Sequence, residues 1–231
     1  MNIKILHMVE GSKEATGVAV IIDVFRAFTV EAYLVNNGVS IIYPVGDKQI
    51  AYDYQKEHPE TILIGERHGV ILPGFDYGNS PSQIENIDFT GKTVLHTTSA
   101  GTQGIANAVN ADVILTGSLV NASSIAKYIL DNGYQDVSLV CMGLEGMEQT
   151  DEDNLCAEYI KSLLEGKELD LKERIEALKE TSGKKFFDKD KQDVFPEKDF
   201  YLSTEVNKYN SVLKVEKDIN TKMDYVVRID V

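Results

Sequence analysis

Short apolar runs rich in β-branched residues alternate along the chain with segments of helical periodicity. Six of these runs are almost continuously hydrophobic, as buried strands of a parallel sheet are. They are GVAVIID (17–23), VSIIYPV (39–45), TILIGE (61–66), KTVLHTT (92–98), DVILTGS (112–118) and DVSLVCM (136–142). The segments between them have helix-type spacing, as in FTVEAYLVNNG, KQIAYDYQKEH, GTQGIANAVN and NASSIAKYILDNG. The alternation predicts an α/β fold with helices on both faces of a mostly parallel sheet.

The pattern changes after residue 151. Two helical stretches, at about 152–165 and 169–180, precede the Lys- and Asp-rich segment GKKFFDKDKQD and the strand-like runs SVLKVEKD and MDYVVRID. The two runs alternate with period two, so they could be edge strands that close a sheet or sheets begun much earlier in the chain. The predicted organisation is a single α/β unit, with two interlocked subdomains of about residues 1–90 and 91–231 as the alternative arrangement.

Composition predicts a soluble globular protein. Hydrophobic residues make up 43% of the 231 positions, and no apolar stretch approaches the roughly 18 residues of a membrane span. The N-terminal MNIKILHMVE contains an acid and no cleavage signal, which argues against a secretory leader. Cys141 and Cys156 form no CxxC pair, which favours reduced thiols and a cytoplasmic location.

The formal net charge of −14 argues against a nucleic-acid partner, since no basic stripe is available to replace the counterions of phosphates. It does not exclude a small anionic ligand. Surface charges are screened beyond a Debye length of about 8 Å, so the groups that line a pocket decide what binds there. Oligomeric state is left open, with a homo-oligomer compatible with the sequence.

Charged side chains follow two of the predicted strands directly. Asp23 and Arg26 lie in IDVFRAFT after the first buried run, and Glu66 and Arg67 begin the polar stretch GERHGVILPGFDYGNSPSQ after the third. Ligands of open α/β sheets gather at the carboxyl ends of strands. These residues are therefore candidates for a binding site.

Two further loops indicate helix starts. Ser80 is predicted to cap a helix that begins at Pro81, with Gln83 completing a capping box. The run TTSAGTQG (97–104) offers hydroxyls and backbone N–H groups to an anion at the next helix start.

The acidic segment MGLEGMEQTDEDNLCAE follows the sixth run, and Thr150 is its predicted N-cap. Successive helical residues turn by about 100°, so at most one or two of Asp151, Glu152 and Asp153 can face one pocket. Each loop also has a local explanation. Asp23 could cap a helix, Glu66 and Arg67 could form an ion pair, and the acids could be a solvated helix start. The coincidence of several such loops at strand ends favours a functional site.

The motifs IDVFRAFT, GER, GFDYGNSP, TTSAGT, TGSLVN and MGLEGMEQTDEDNLCAE, in this order, resemble those of the 2-phosphosulfolactate phosphatases, the ComB family linked to coenzyme M biosynthesis. The resemblance covers about residues 15–160. It implies a Mg²⁺-dependent phosphatase that cleaves 2-phospho-3-sulfolactate to 3-sulfolactate and phosphate. It also implies a three-layer α/β/α architecture of two intertwined halves, which the C-terminal strands could complete.

One motif departs from the family. Where the family commonly has TTNGT, this chain has Thr98-Ser99-Ala100-Gly101-Thr102 and lacks the Asn side chain. The difference concerns substrate binding more than the type of reaction.

Such a substrate carries several negative charges and requires fixed donors. Arg26 and Arg67 can bind phosphate or sulfonate oxygens through two hydrogen bonds each, and helix starts add backbone donors. The other substrate-binding candidates are Asn79, Ser80, Thr98, Ser99, Ala100, Gly101 and Thr102. Magnesium prefers carboxylate oxygens, and two or three ligands are expected among Asp23, Glu66, Glu152 and Asp153.

The attacking group is left open between a metal-activated water and a carboxylate, Asp23 or Asp76. Other phosphatase signatures are absent, since Phe25 stands where a haloacid-dehalogenase motif has its second Asp and Met147 stands where a cysteine-phosphatase loop needs Arg. His68 is expected to be an exposed loop residue and His96 a core residue. The alternative functions are a phosphatase for another small phospho-hydroxy acid and a non-catalytic protein that binds small anions.

Overall fold

The computed structural model describes all of residues 1–231, and it contains ten strands and nine α-helices. The strands are β1 (Asn2–His7), β2 (Gly17–Ile22), β3 (Ile41–Pro44), β4 (Ile62–Arg67), β5 (Val70–Ile71), β6 (Thr93–Thr97), β7 (Ala111–Gly117), β8 (Asp136–Cys141), β9 (Ser211–Lys217) and β10 (Asp224–Asp230). The helices are α1 (Met8–Glu14), α2 (Ala27–Asn36), α3 (Lys48–Glu57), α4 (Pro81–Ile84), α5 (Gly101–Asn107), α6 (Ala122–Asp131), α7 (Asp151–Leu164), α8 (Lys172–Ala177) and α9 (Glu197–Ser203).

All six predicted buried strands are present, as are the two C-terminal ones, so the predicted α/β class is confirmed. Strands β1 and β5 were not predicted. Four short 3₁₀ helices are also present, at Leu119–Asn121, Leu178–Glu180, Lys184–Phe187 and Lys189–Lys191. No helix has both the length and the apolar character needed to cross a membrane.

The strands form one sheet in the order β1-β8-β2-β7-β9-β10-β3-β6-β4-β5. Strands β1, β8, β2 and β7 are parallel to one another, and so are β3, β6 and β4. The antiparallel hairpin β9–β10 lies between these two groups and pairs with β7 on one side and β3 on the other. The C-terminal strands therefore complete the middle of the sheet and are not edge strands.

Each parallel group is covered by a helix that follows a strand of the other group. Helix α2 follows β2, yet Val30 and Leu34 pack in one cluster with Ile42, Ile64 and Val94 of the β3-β6-β4 group. This exchange makes the two groups depend on each other for burial of their apolar faces.

The reverse exchange is made by α5, which follows β6 but packs on the other group. Its Ile105 lies in one cluster with Ala19 and Ile21 of β2 and Val140 of β8. The halves of the sheet are thus intertwined through α2 and α5, as the resemblance implied. The division of the chain near residue 90 stays a prediction.

A segment between α8 and α9 closes over the end of β2. Phe186 and Phe200 are fully buried with Leu155 of α7, and the Phe25 ring contacts Phe186 edge to face at a centroid distance of 5.0 Å. These aromatic contacts hold residues 184–200 against the loop that follows β2. The segment thereby forms one wall of the cavity described next.

Candidate active site

A cavity of about 300 Å³ lies where the loops after β2, β4, β6 and β8 meet the first turn of α7. Asp23, His68, Ser99 and Glu145 line it from these four loops. Glu66 lines it from the end of β4, and Glu152 lines it from α7. The sequence therefore identified four of the loops that form the cavity.

Asp23 is 7% exposed, and its Oδ1 accepts a hydrogen bond from the backbone N–H of Ala27 at 3.1 Å. Burial raises the pKa of Asp23 to about 6, and repulsion from the Glu66 and Glu152 carboxylates adds to the increase. Asp23 thus caps the start of α2 with one oxygen, and its carboxylate also faces the cavity with two other acids.

Arg26 lines the cavity, but its charge is already paired. The guanidinium is buried, contacts Asp199 Oδ2 at 2.7 Å and donates to the carbonyl oxygen of Val194 at 2.9 Å. It also lies 5.0 Å from the centroid of the Phe195 ring. The prediction that Arg26 binds substrate is untested, and the structure gives this residue a second role in anchoring α9.

Glu66 also lines the cavity, and its carboxylate organises the neighbouring loop. Oε1 accepts from the Ser99 N–H at 2.7 Å, and Oε2 accepts from the Gly69 N–H at 2.6 Å. No ion pair joins the Glu66 carboxylate to Arg67. Instead, Arg67 donates to the carbonyl oxygens of Glu66 and Gly46 and to the Thr97 hydroxyl. Arg67 is not among the residues that line the cavity.

The start of α4 differs in its hydrogen bonds from the predicted capping box. Ser80 occupies the N-cap position as predicted, but its hydroxyl donates to Asp199 Oδ1 at 2.9 Å. The same oxygen accepts from the Ser82 N–H, and Gln83 Oε1 accepts from the Gly78 N–H. The Ser82 N–H at this helix start was expected to be available to a substrate anion, but it donates to Asp199.

The remaining candidates of this stretch separate into one cavity residue and one structural residue. Asn79 is buried and lines the cavity. Asp76 lies outside the cavity, where its Oδ2 accepts from the Leu63 N–H of β4 at 2.8 Å.

Within the loop after β6, only Ser99 and Ala100 line the cavity. Thr98 and Thr102 bind each other, since the N–H of each donates to the hydroxyl of the other at 3.1–3.2 Å. Gly101 lies against Asp23, and a Cβ at this glycine would be 3.0 Å from Asp23 Oδ2. The small residue at 101 lets the starts of α2 and α5 approach each other.

Helix α7 directs two adjacent acids in different directions, as helical geometry requires. Glu152 lines the cavity, and its Oε2 is buried without a hydrogen-bond partner. Asp153 does not line the cavity, because Oδ1 accepts from the Val24 N–H and Oδ2 from the Gly143 N–H, both at 2.8 Å. Burial raises the pKa of both side chains. Thr150 is the N-cap by position, with no side-chain capping hydrogen bond.

The two predicted histidines occupy the expected environments. His96 is fully buried and bonds Glu31 Oε1 through Nδ1 at 3.0 Å, which confirms it as a core residue. His68 is an exposed loop residue at the cavity mouth, where Nδ1 contacts Glu145 Oε1 at 2.6 Å. The hydrogen bond that His68 donates to the Glu145 carboxylate raises the pKa of His68.

Sequence reasoning missed the contribution of the segment between α8 and α9. Lys185, Lys191 and Phe195 line the cavity from this segment. Burial lowers the pKa of Lys185, and the neighbouring Glu152 carboxylate opposes that decrease. The Lys-rich composition of GKKFFDKDKQD was visible, but its position in space depends on the Phe186 and Phe200 contacts.

The donors of the cavity fit a magnesium ion that keeps part of its water shell. No group of three or more His, Cys, Asp or Glu side chains is arranged so that it could hold a metal ion. Magnesium is usually held by one or two carboxylates, with waters and substrate phosphate completing its coordination. The unpartnered Glu152 Oε2 and the Asp23 carboxylate offer such oxygens to the cavity. Both Asp153 oxygens already accept backbone hydrogen bonds.

The fold and the cavity define an α/β protein with a polar small-molecule site at its strand ends, an arrangement typical of α/β enzymes. The family model described as 2-phosphosulpholactate phosphatase matches residues 4–218. The chain therefore belongs to the 2-phosphosulpholactate phosphatase family, and it is a phosphoric monoester hydrolase.

Individual relatives agree with the family assignment. The chain is 33% identical over 178 residues to a probable 2-phosphosulfolactate phosphatase of Thermoplasma volcanium, covering 76% of this chain and 82% of the relative. It is 37% identical over 176 residues to one of Carboxydothermus hydrogenoformans, covering 75% and 72%. It is 32% identical over 203 residues to one of Bacillus subtilis, covering 86% and 87%.

Proposed function

We propose that the chain hydrolyses 2-phospho-3-sulfolactate to 3-sulfolactate and phosphate in a Mg²⁺-dependent reaction, a step of the type found in coenzyme M biosynthesis. The observation that carries the proposal is the single cavity that brings Asp23, Glu66 and Glu152 together with Lys185. The identity of the substrate is taken from the names of the relatives of this chain. In the reaction the phosphorus bonds to the oxygen of water, the bond to the lactate oxygen breaks, and that oxygen takes up a proton.

Two acids of the cavity would hold the metal in this proposal, Asp23 and Glu152, and Glu66, whose oxygens already accept backbone hydrogen bonds, would be the third carboxylate beside it. The ion would supply positive charge to the phosphate dianion and to the three carboxylates, which otherwise repel the substrate. Glu66 reaches the cavity while its two oxygens fix the backbone of Gly69 and Ser99. The same carboxylate therefore fixes the backbone of the loop after β6 and adds negative charge to the cavity.

Asp23 is the proposed reacting carboxylate, and two routes are open to it. It either accepts a proton from the attacking water or attacks phosphorus itself to form an aspartyl phosphate that water hydrolyses. Asp76 is less suited, because it lies outside the cavity and accepts from the backbone of β4. The Asn79 side chain lines the same cavity and its NH₂ group can donate to substrate oxygens, whereas the Ser99 hydroxyl already donates to Glu66 Oε2 at 3.3 Å.

A cytoplasmic location is part of the proposal. It is supported by Cys141 and Cys156, which are both buried free thiols. Thiols of this kind are common where the surroundings are reducing.

Phosphate release from 2-phospho-3-sulfolactate tests the proposal directly. Turnover is expected with added Mg²⁺, and removal of the metal with EDTA should abolish it reversibly. 2-Phospholactate and 3-phosphoglycerate serve as comparison substrates, and either one reacting faster would assign the enzyme to another phospho-hydroxy acid. Binding of the substrate without release of phosphate would contradict catalysis and favour an anion-binding protein.

Asp23→Asn separates the chemistry from the fold in the same assay. The Asn side chain keeps an oxygen for the Ala27 N–H but loses the charge and basicity of the carboxylate. We expect no turnover with native-like circular dichroism, and activity near wild type would remove Asp23 from the proposed mechanism.

A further inference from the structure

The cations of the cavity wall differ in whether they already have a carboxylate partner. Arg26 contacts Asp199 at 2.7 Å, His68 contacts Glu145 at 2.6 Å, and Lys191 lies 3.4 Å from Asp188. Lys185 also lines the cavity, and its ammonium group forms no ion pair within 4.0 Å, although the Glu152 carboxylate is near enough to act on its charge. Lys185 is therefore the cavity cation that has no direct carboxylate partner.

Aromatic rings hold the Lys185 side chain in place. Its Nζ lies 5.6 Å from the centroid of the Phe186 ring and 5.4 Å from that of the Phe195 ring. Phe186 is fully buried in the cluster that fixes this segment to the end of β2. An ammonium group placed between two rings loses little further freedom when it binds an anion, which favours binding.

The position of Lys185 relative to the acids indicates which part of an anionic ligand it meets. Asp23, Glu66 and Glu152 are each no more than 7% exposed and form the inner wall of the cavity. Lys185 and Lys191 also line an adjoining cavity of about 650 Å³, so they form the wall that the two cavities share. A phosphate directed at the inner carboxylates and their metal leaves the rest of the substrate facing these lysines.

We propose that Lys185 is a specificity-determining residue that binds a non-transferred acidic group, carboxylate or sulfonate, of the substrate. This inference rests on the proposed function for the identity of the substrate. Lys191, at the cavity mouth, adds positive charge on the same side. In this assignment the residue that selects the substrate is Lys185, which lies more than a hundred residues after Arg26 and Arg67 in the chain.

Binding of 3-sulfolactate tests the role of Lys185 without any turnover, because this molecule carries both acidic groups and no phosphate. Isothermal titration calorimetry of the full chain with Mg²⁺ should show an affinity about 10- to 100-fold weaker in Lys185→Met, as expected for loss of a charge-assisted contact. Lys185→Arg should retain most of the affinity. The control is Lys189→Met, an exposed lysine of the same segment that does not line the cavity, and it should bind as wild type does.

A second measurement uses ethyl phosphate, which has a phosphate but no other acidic group. Lys185→Met should lower kcat/KM for 2-phospho-3-sulfolactate about tenfold or more beyond any loss that it causes for ethyl phosphate, because only the former has a second acidic group for Lys185 to bind. An equal loss on both substrates, or unchanged binding of 3-sulfolactate, would overturn the assignment. Failure of the proposed function would look different, since wild type itself would then release no phosphate from 2-phospho-3-sulfolactate.

Discussion

Arg26 and Asp199 are 173 residues apart in the chain and form a buried ion pair with an Nη1–Oδ2 distance of 2.7 Å. The same Asp199 carboxylate accepts hydrogen bonds from the Ser80 hydroxyl and the Ser82 N–H. One side chain of α9 thus connects the loop after β2 with the start of α4. The pair fixes the wall that carries Lys185 against the wall that carries Asp23.

Asp199→Ala is expected to destabilise the protein by about 3–5 kcal/mol, because it leaves the buried Arg26 charge and two donors without an acceptor. The free energy of unfolding from urea denaturation provides the measurement. Lys13→Met is the control, since the exposed Lys13–Glu10 pair should contribute less than about 1 kcal/mol. Equal effects of the two substitutions would show that the buried pair contributes little to the fold.

Asp23→Asn should stabilise the metal-free protein at neutral pH while it removes activity. The folded-state pKa of Asp23, about 6, lies above that of the unfolded chain. The stabilising contribution of this group is therefore present in full below about pH 4 and is lost as pH rises through 6. At pH 7 the substitution should increase the free energy of unfolding by roughly 2–3 kcal/mol.

The measurement for this prediction is the melting temperature from pH 4 to pH 8 in EDTA. The difference between Asp23→Asn and wild type should grow through pH 6 and then level off. Added Mg²⁺ should raise the melting temperature of wild type and should have a smaller effect on the variant, since a ligand stabilises only a state that binds it. A constant difference across this pH range would contradict the raised pKa.

Glu152→Gln and Asp153→Asn should have opposite consequences although the two residues are adjacent. Glu152 faces the cavity with an unpartnered oxygen, so its amide variant should lose metal-dependent activity at little cost in stability. Asp153→Asn directs an amide NH₂ toward the Val24 or Gly143 N–H, so two donors face each other. The substitution should lower the free energy of unfolding by about 1–3 kcal/mol. Phosphate release and thermal melting of both variants provide the comparison. Loss of activity in a stable Asp153→Asn protein would instead favour Asp153 as a metal ligand.

Gly101→Ala should reduce activity by crowding the reacting carboxylate. Its Cβ would lie 3.0 Å from Asp23 Oδ2, Ala27 Cβ and Phe28 Cζ, so either the loop or the carboxylate must shift. We expect kcat to fall about tenfold or more, since small misplacements in a site have large kinetic costs. In Gly78→Ala the nearest atom would be 3.4 Å away, an ordinary contact, and its kcat should stay close to that of wild type.

The sequence was sufficient to predict the elements that can be recognised from a continuous stretch of apolar residues. Buried strands such as β2 and β8 are continuous apolar runs, and their ends carry the charged residues that line the cavity. The family resemblance, carried by the motifs of residues 15–160, is confirmed by a match over residues 4–218.

The sequence was insufficient where a residue's role depends on a distant partner. The Arg26–Asp199 ion pair could not be predicted, because Asp199 lies in a distant helical segment and no local spacing connects the two residues. Lys185 was missed for the same reason, since the Phe25–Phe186 contact that brings its segment to β2 spans most of the chain. The alternating pattern of β9 and β10 indicated edge strands and could not identify β7 and β3 as their neighbours in the middle of the sheet.

The central position of the β9–β10 hairpin has a consequence for biosynthesis. The strands that join the two parallel groups are synthesised after all the other strands of the sheet, so β7 and β3 expose unpaired backbone until β9 and β10 have emerged from the ribosome. A chain stopped before residue 211 would keep both edges open to other molecules. The nascent protein therefore depends on the β9–β10 hairpin for protection against aggregation.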